Sequence, residues 1–392
     1  MIRNDKLGME SGRSIIMTDE TLDNHISVLV SEAARELNSC GTLKQRLKDL
    51  VKKDILHRDL QNPDMIRWPK GMLLLGLLRA GDIETACEYL DRWIEPGADI
   101  TSIEDVLAGQ TIMELAEKQH GKSESAISIS DRRISVYTDC SDNMAKYLVS
   151  CECDEEGSLP YSIKAHNEHI YADSIGMICP FLMMYGIKNG QQKYIDMALQ
   201  QINNFMKNAI DDKTGLPYHG YRYKDHEKYG IIGWGRAAGW LMMGMSGCLR
   251  AADIKERKAA AGQSADLVDC NDMRELKKYY NDMANVLIDH QREDGLWGWN
   301  IADLDSQDDT SASAMILYSL SQYPMDKGKS GINGTSEVLQ RGIHGLEKYI
   351  TTDGKVMQCQ AECGGFGIYP ERFGSYPWSV GMTLAFFASM QK

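Results

Sequence analysis

The chain has 392 residues, of which 43% are hydrophobic and 25% are charged, as in an ordinary globular protein. Its 56 acidic and 43 basic residues give a formal charge of −13, which argues against nucleic acid as a partner, because that binding needs clustered Lys and Arg. The first 30 residues have interleaved charges and no apolar signal-peptide core, and no uncharged apolar run of about 18 residues occurs. We therefore expect a cytoplasmic protein without a membrane partner.

The ten cysteines are scattered along the chain rather than grouped. Cys151-x-Cys153 and Cys359-x3-Cys363 lack partner pairs at zinc-site spacing, and no His lies within five residues of either pair. These features predict reduced thiols, no metal and no other cofactor. The sequence does not predict an oligomeric state.

Glycine turns recur along the chain at a nearly constant interval. Gly157, Gly215, Gly295 and Gly354 are separated by 58, 80 and 59 residues, and the longest gap contains a small and polar stretch, residues 259–272, that reads as a surface insertion. Such self-similarity is typical of a repeat architecture.

The segments between the turns have apolar residues at steps of three and four, which predicts helices over 175–185, 194–206, 240–251, 276–290, 313–321 and 338–349. Six helical hairpins of about 58 residues account for roughly 350 residues. An open solenoid fits the period, but the aromatic loops favour an all-α closed ring with a pocket at one mouth, an (α/α)6 barrel. We expect one catalytic domain over 1–392, with 1–20 an N-terminal extension.

Three segments carry more functional side chains than packing requires. The first contains Asp173, which precedes an apolar helical run and can therefore be an N-cap, a general acid or both. A helix N-terminus lowers a carboxyl pKa, whereas burial against aromatic rings such as Tyr171 raises it. Outside these three segments, Glu104 and Asp105 begin an earlier helical segment, where one of the pair is expected to cap the helix.

The second segment contains His219, Trp234, Arg236 and Trp240. Arg236 offers a planar fork to a substrate carboxylate, and the two Trp residues offer faces to a sugar, with Trp234 at the rim and Trp240 inside. The alternatives are a turn histidine, a surface arginine and core tryptophans. The third segment begins with Asp308-Asp309, where a helix-capping role and a functional role are equally plausible.

Together these residues resemble the unsaturated glucuronyl and rhamnogalacturonyl hydrolases, glycoside hydrolase families 88 and 105. The resemblance depends on four motifs and covers about residues 65–390. They are Asp173-Ser-Ile-Gly-Met-Ile-Cys-Pro-Phe-Leu, Tyr218-His219-Gly220 followed by Gly233-Trp234-Gly235-Arg236-Ala-Ala-Gly239-Trp240, Asp309-Thr310-Ser311-Ala312-Ser313-Ala314, and, more loosely, Arg67-Trp68-Pro69-Lys70-Gly71 with Tyr376-Pro377-Trp378.

The resemblance implies an enzyme that removes a 4,5-unsaturated uronic acid from the non-reducing end of lyase-generated oligosaccharides. It hydrates the C4–C5 double bond, with Asp173 as the acid that protonates C4, instead of using the paired carboxylates of ordinary glycosidases. A second acidic residue falls at Glu104 or Asp105, and we take Asp105.

The resemblance also makes Tyr171, His219, Trp234, Arg236, Trp240 and Tyr161 substrate-binding candidates. Many relatives have Trp where this chain has Tyr171 and His where it has Tyr161, although His166 and His169 are near. Residues 224–228 have no clear counterpart, which leaves the sugar beyond the uronate open.

Two other functions fit parts of the pattern. A different enzyme on the same ring, such as an inverting glycosidase or a sugar epimerase with paired histidines, would draw on His219, His226 and His290. A non-catalytic carbohydrate-binding ring would keep the tryptophans but would not need Asp173.

Overall fold

The computed structural model describes residues 19–39, 66–117, 130–161, 168–260, 270–323, 334–365 and 367–391. The helices in these ranges are α1 Asp19–Leu37, α2 Trp68–Ala80, α3 Ile83–Ile94, α4 Ile103–Glu117, α5 Asp131–Ser150, α6 Ala172–Asn189, α7 Gln192–Asn208, α8 Gly235–Ala260, α9 Cys270–Asp289, α10 Thr310–Gln322, α11 Gly334–Glu347 and α12 Pro377–Met390. The strands are β1 His169–Tyr171, β2 Gly220–Arg222, β3 Lys228–Tyr229, β4 Cys359–Gln360 and β5 Phe373–Gly374. Most of the expected N-terminal extension and of the expected insertion lies outside the described residues.

Six helices form an inner ring. Helices α2, α4, α6, α8, α10 and α12 each pack against the next in this order, and α12 packs back against α2, which closes the circle. The other six helices lie outside: α1 packs on α2 and α12, and α3, α5, α7, α9 and α11 each pack on the inner helix that precedes them in the chain. The fold is an (α/α)6 barrel, which confirms the predicted closed ring over the open solenoid.

The two layers differ in sequence because their surroundings differ. An inner helix contacts two ring neighbours and an outer helix, so α6, α10 and α12 are apolar almost all round. An outer helix has one solvent face, and α7 accordingly buries residues three or four apart, such as Ile195, Ala198, Leu199 and Ile202. The predicted helical segments lie in the observed helices, except that residue 290 falls just beyond the end of α9 and residues 348–349 fall just beyond the end of α11.

The four repeated glycines all have positive φ: 80° for Gly157, 71° for Gly215, 90° for Gly295 and 80° for Gly354. Each lies between an outer helix and the inner helix that follows it. A residue with a side chain is strained in this conformation, which explains why glycine recurs at the same point of each hairpin.

The inner helices all run in the same direction, because each is followed by an outer helix that returns the chain. Their N-termini therefore share one mouth of the barrel, and a helix N-terminus carries a partial positive charge. Two small antiparallel sheets, β1-β2-β3 and β4-β5, lie in the connections that lead into this mouth. Among the described residues, no helix has both the length and the apolar character that a bilayer crossing requires.

Candidate active site

A cavity of about 230 Å³ opens at the N-terminal mouth of the ring. It is lined by aromatic, acidic and basic side chains from α2, α4, α6 and α8 and from three connections, those between α5 and α6, between α7 and α8, and between β4 and β5. They are Trp68, Glu104, Tyr161, Tyr171, Asp173, His219, Trp234, Arg236, Trp240, Glu362, Cys363 and Gly365. Every catalytic or substrate-binding residue predicted from the sequence, except Asp105, lines this cavity. A larger groove of about 510 Å³ beside α3 and α5 contains none of them.

Asp173 presents a buried carboxyl oxygen to the cavity. The N-cap of α6 is Tyr171, so Asp173 is the second residue of the helix rather than its cap. Its Oδ2 atom is buried and has no hydrogen-bond partner among the described residues, and His219 Nε2 lies 3.4 Å away. A catalytic hydrogen bond is often long in an unliganded enzyme. The carboxyl group is therefore placed to exchange a proton with a ligand.

A short sheet brings His219 to Asp173 across 46 positions of sequence. Strand β1 pairs with β2 in a register that sets Tyr171 opposite Gly220, and the Ala172 N–H donates to the His219 carbonyl at 3.0 Å. A Cβ atom on Gly220 would lie 2.1 Å from the carbonyl oxygen of Ile170. The glycine of the Tyr218-His219-Gly220 motif is therefore what lets the two strands approach.

The cavity wall is a series of rings in contact. Tyr161 stacks on Tyr171 with ring centroids 4.8 Å apart, Tyr171 lies 5.1 Å from His219, and His219 lies 4.1 Å from Trp234. The rim position predicted for Trp234 is wrong: the residue is 2% exposed, and its indole N–H donates to Gln360 Oε1, because β4 covers it.

Trp240 completes the wall from inside α8 and is 1% exposed, as predicted for an inner position. It meets Trp68 edge to face at 5.9 Å. A Cβ atom on Gly176 of α6 would lie 2.5 Å from the Trp240 ring, so this glycine gives the indole its space.

Glu104 and Asp105 are adjacent in the chain but face different surroundings. Glu104 lines the cavity, where it accepts a 2.8 Å hydrogen bond from the Tyr161 hydroxyl and lies 3.8 Å from Arg67. Asp105 points away and caps the start of α4, where its Oδ2 accepts the N–H groups of Thr101 and Ser102. Burial raises the pKa of Asp105 to about 6 despite these bonds. We therefore propose that Glu104, and not Asp105, is the second acidic residue of the site.

The surroundings of Glu104 raise the pKa of its carboxyl group. Burial is the main cause that raises its pKa, and the negative charges of Glu362 and Asp173 add to this, against the lowering effect of Tyr161 and Arg67. The pKa of Glu104 therefore depends on the other charged groups around the cavity.

Arg236 lines the cavity, but its fork is engaged by the protein. Its Nη1 donates to the Gln360 carbonyl at 2.8 Å and its Nη2 to the Ala361 carbonyl at 2.9 Å. Asp309 Oδ2 lies 3.5 Å from Nη1, while Asp309 Oδ1 caps α10 by accepting the Ser311 N–H. The residue is 2% exposed, so the surface alternative is wrong. The guanidinium fixes β4 and contributes charge to the cavity rather than a free fork.

We expect Arg236→Lys to lower the free energy of unfolding by about 2–4 kcal/mol, because an ammonium group cannot reproduce the paired hydrogen bonds to the Gln360 and Ala361 carbonyls. Chemical denaturation monitored by circular dichroism measures the change. Arg222→Lys is the control, since Arg222 pairs with Asp225 and Glu227 on an exposed loop where ion pairs contribute little. Unchanged stability combined with weakened substrate binding would instead support a fork that faces the substrate.

Several cavity residues come from a C-terminal loop that the sequence did not mark. Glu362 and Cys363 follow β4, and Tyr369 packs on Trp234 with ring centroids 5.6 Å apart. Glu362 and Tyr369 lie in no motif or periodic helix, and Cys363 was considered only as a possible zinc ligand, so no local signal marked this loop as part of the site. Of the other histidines considered, His166 lies outside the described residues, and His169 packs edge to face on Tyr229 instead of lining the cavity.

Comparison with known proteins identifies the family of this barrel and its cavity. The model of Glycosyl Hydrolase Family 88 matches residues 44–392. Unsaturated rhamnogalacturonyl hydrolase YesR of Bacillus subtilis (strain 168) is 25% identical over 356 residues, which cover 86% of this chain and 93% of that protein.

Two solved structures show how widely the fold is shared. A possible member of the GH105 family from Salmonella enterica serovar Paratyphi A superposes with a TM-score of 0.75 at 18% identity, over 97% of this chain and 96% of that chain. Unsaturated glucuronyl hydrolase of Bacillus sp. GL1 gives a TM-score of 0.61 at 15% identity, over 93% and 96%. These likenesses concern the fold, whereas the family model covers nearly the whole sequence. The chain therefore belongs to Glycosyl Hydrolase Family 88 and is an enzyme of that type.

Proposed function

We propose that this enzyme removes a 4,5-unsaturated uronic acid from the non-reducing end of oligosaccharides produced by polysaccharide lyases. Family membership and the relative named as an unsaturated rhamnogalacturonyl hydrolase support this substrate class. The observation that carries the proposal is the Asp173 carboxyl group, which belongs to a ring-lined cavity and has its Oδ2 atom 3.4 Å from His219 Nε2.

The proposed reaction adds one water molecule across the C4–C5 double bond. Protonated Asp173 gives its proton to C4, which leaves an oxocarbenium ion shared by C5 and the ring oxygen. Water then attacks C5 while the Asp173 carboxylate takes a proton from it, so the acid is regenerated. The resulting hemiketal opens, and the rest of the saccharide leaves as an alcohol. His219 lies beside Asp173 throughout and Glu104 orients the sugar through its remaining lone pairs.

The helix N-termini favour an anionic uronate in spite of the acidic surface. The first turns of α2, α4, α6 and α8 supply cavity residues, so the partial positive ends of these helices face the ligand. Arg236 adds a full positive charge close by. These groups make the electrostatic potential in the cavity more positive, as a protein with a formal charge of −13 requires if it is to bind an anionic substrate.

Isotope labelling tests the reaction directly. Loss of the ultraviolet absorbance of the conjugated uronate measures turnover of an unsaturated disaccharide, with the saturated glucuronide as control substrate. In heavy water the uronate product should carry one deuterium at C4, and water labelled with oxygen-18 should place its label at C5. Label at the anomeric carbon, or equal turnover of the saturated glucuronide, would show ordinary glycoside hydrolysis and refute the proposal.

The alternative of an epimerase with paired histidines has little support in the geometry. His219 lines the cavity, but His226 lies 3.4 Å from Glu156 on an exposed loop, and His290 bonds to the Val286 carbonyl of the helix that precedes it. A purely binding ring would not need a largely buried carboxyl group at Asp173 beside His219, because burying an acid destabilises the fold unless the group has a role.

An acidic mouth predicts discrimination against sulfated sugars beyond the uronate. Glu362 is exposed on the cavity, while the buried acids lie deeper, so the second sugar meets Glu362 first. We expect Glu362→Gln to raise kcat/KM for a sulfated disaccharide about 2- to 5-fold relative to its unsulfated counterpart, because one partly screened repulsion is removed. The ratio is measured at low and high salt for both proteins. An unchanged ratio would contradict this role.

Two broader features remain part of the proposal. A single catalytic domain over 1–392 is supported by one continuous hydrophobic cluster that includes residues from α1 to α12. A cytoplasmic place of action is supported by the thiols of Cys140, Cys179 and Cys248, which lie buried and form no disulfide with any other described residue.

A further inference from the structure

We infer that Tyr369 is a positioning residue that holds His219 in the tautomer with its proton on Nε2, facing Asp173. The catalytic consequence of this arrangement depends on the proposed function, but the tautomer itself does not. Tyr369 lies 150 residues from His219, on the loop that joins β4 to β5, and it does not itself line the cavity.

The hydrogen bonds of the Tyr369 hydroxyl determine the direction of the bond to His219. Its oxygen lies 3.2 Å from the Ile231 backbone nitrogen and 3.2 Å from His219 Nδ1. The Ile231 N–H can only donate, so it occupies one of the two lone pairs of the phenol oxygen. Among the described residues, His219 Nδ1 is the one acceptor within hydrogen-bond distance of the phenol proton, so this proton has a partner only if Tyr369 donates to His219. A neutral imidazole that accepts at Nδ1 carries its proton on Nε2.

The surroundings keep this phenol protonated and in place. Burial raises the pKa of the Tyr369 hydroxyl, so the group remains a donor. Its ring packs against Trp234 at 5.6 Å and Trp299 at 5.9 Å. Gly230 has a φ of 82°, and a Cβ atom there would lie 2.5 Å from the Tyr369 hydroxyl and 2.6 Å from His219 Cβ. The contact between loop and histidine therefore also depends on this glycine.

The tautomer matters because of what faces Asp173. With the proton on Nε2, His219 directs a donor at Oδ2, which lies 3.4 Å away. When Asp173 gives its proton to C4, negative charge develops on this carboxylate, and a donor stabilises it more in the transition state than in the ground state. In the other tautomer, the lone pair of Nε2 would face the carboxylate oxygen that forms in the reaction, and the two would repel each other. The effect of Tyr369 should thus appear in kcat rather than in KM.

Nitrogen-15 NMR of the full chain labelled at histidine reads the tautomer without any substrate. At mildly alkaline pH, where neutral imidazoles dominate, wild-type His219 should show a proton on Nε2 and a bare Nδ1. The His219→Gln protein identifies the resonances by their absence. Tyr369→Phe should give a mixture of tautomers and lower kcat roughly 10-fold with a nearly unchanged KM, since one polar contact to a charge-stabilising group is lost. Tyr279→Phe removes an exposed hydroxyl and is the matched control.

The results test the tautomer of His219 separately from the proposed function. A wild-type His219 protonated on Nδ1 would overturn the inference, and so would a Tyr369→Phe protein with an unchanged tautomer. If Tyr369→Phe does not fold, the wild-type spectrum alone decides. A wild-type protein with the expected tautomer and no activity on unsaturated disaccharides would instead refute the proposed function and leave the assignment of the tautomer intact.

Discussion

Replacing Asp173 with Asn is expected to reduce kcat on an unsaturated disaccharide by about 10²- to 10⁴-fold, the usual contribution of a positioned acid or base. The amide keeps the size of the side chain but cannot protonate C4 or accept a proton from water. Substrate affinity should stay within a few-fold, because the cavity walls are unchanged. Ultraviolet assays give kcat, and titration calorimetry with the inactive protein gives the dissociation constant.

Ser174→Ala is the matched control for this change. Ser174 is the next residue of α6, and its buried hydroxyl has no hydrogen-bond partner among the described residues, so its removal should leave kcat nearly unchanged. Retention of wild-type turnover by Asp173→Asn would show that the proton comes from another group. Loss of both turnover and binding would show that Asp173 acts by holding the substrate.

Replacing Glu104 with Gln is expected to lower kcat/KM about 10- to 100-fold, the value of a hydrogen bond to a charged group. The glutamine amide would keep an acceptor for the Tyr161 hydroxyl but would lose the charge beside Arg67 and Asp173. Kinetics on the unsaturated disaccharide measure the loss.

The neighbouring substitution Asp105→Asn is the natural comparison. Its side-chain oxygen still accepts the N–H groups of Thr101 and Ser102, so we expect kcat/KM within about 3-fold and a stability cost of at most about 1 kcal/mol. Denaturation and kinetics on the two proteins separate the roles. If Asp105→Asn is the slow enzyme and Glu104→Gln is not, the second acidic residue is Asp105, as the sequence resemblance first suggested.

Glu104 and Asp105 show one feature of the site that the sequence could not predict. Residues 104 and 105 differ by about 100° around α4, so one faces the cavity while the other turns to the helix end. A pattern of residue types contains both positions but not the rotation of the helix against its neighbours. That rotation is set by packing in the ring, where α4 lies between α2 and α6.

The roles of Trp234 and Arg236 were open for a different reason. Both were recognised as site residues, yet their burial depends on β4, which lies more than 120 residues later in the chain. The same segment brings Glu362 and Tyr369 to the site. The contacts of a loop that has neither periodicity nor a turn motif cannot be predicted from the residues around it in the sequence.

The sequence by itself determined the hairpin repeat and the chemistry of the site. Turns with positive φ require glycine, and helices buried on all sides require continuous apolar residues, so both leave marks that are local in the chain. Only the tertiary structure decided which of the two acids lines the cavity, which carbonyl groups the Arg236 guanidinium binds and which hydroxyl group contacts His219. These choices depend on contacts between elements far apart in sequence, whose geometry is fixed when the ring of helices closes.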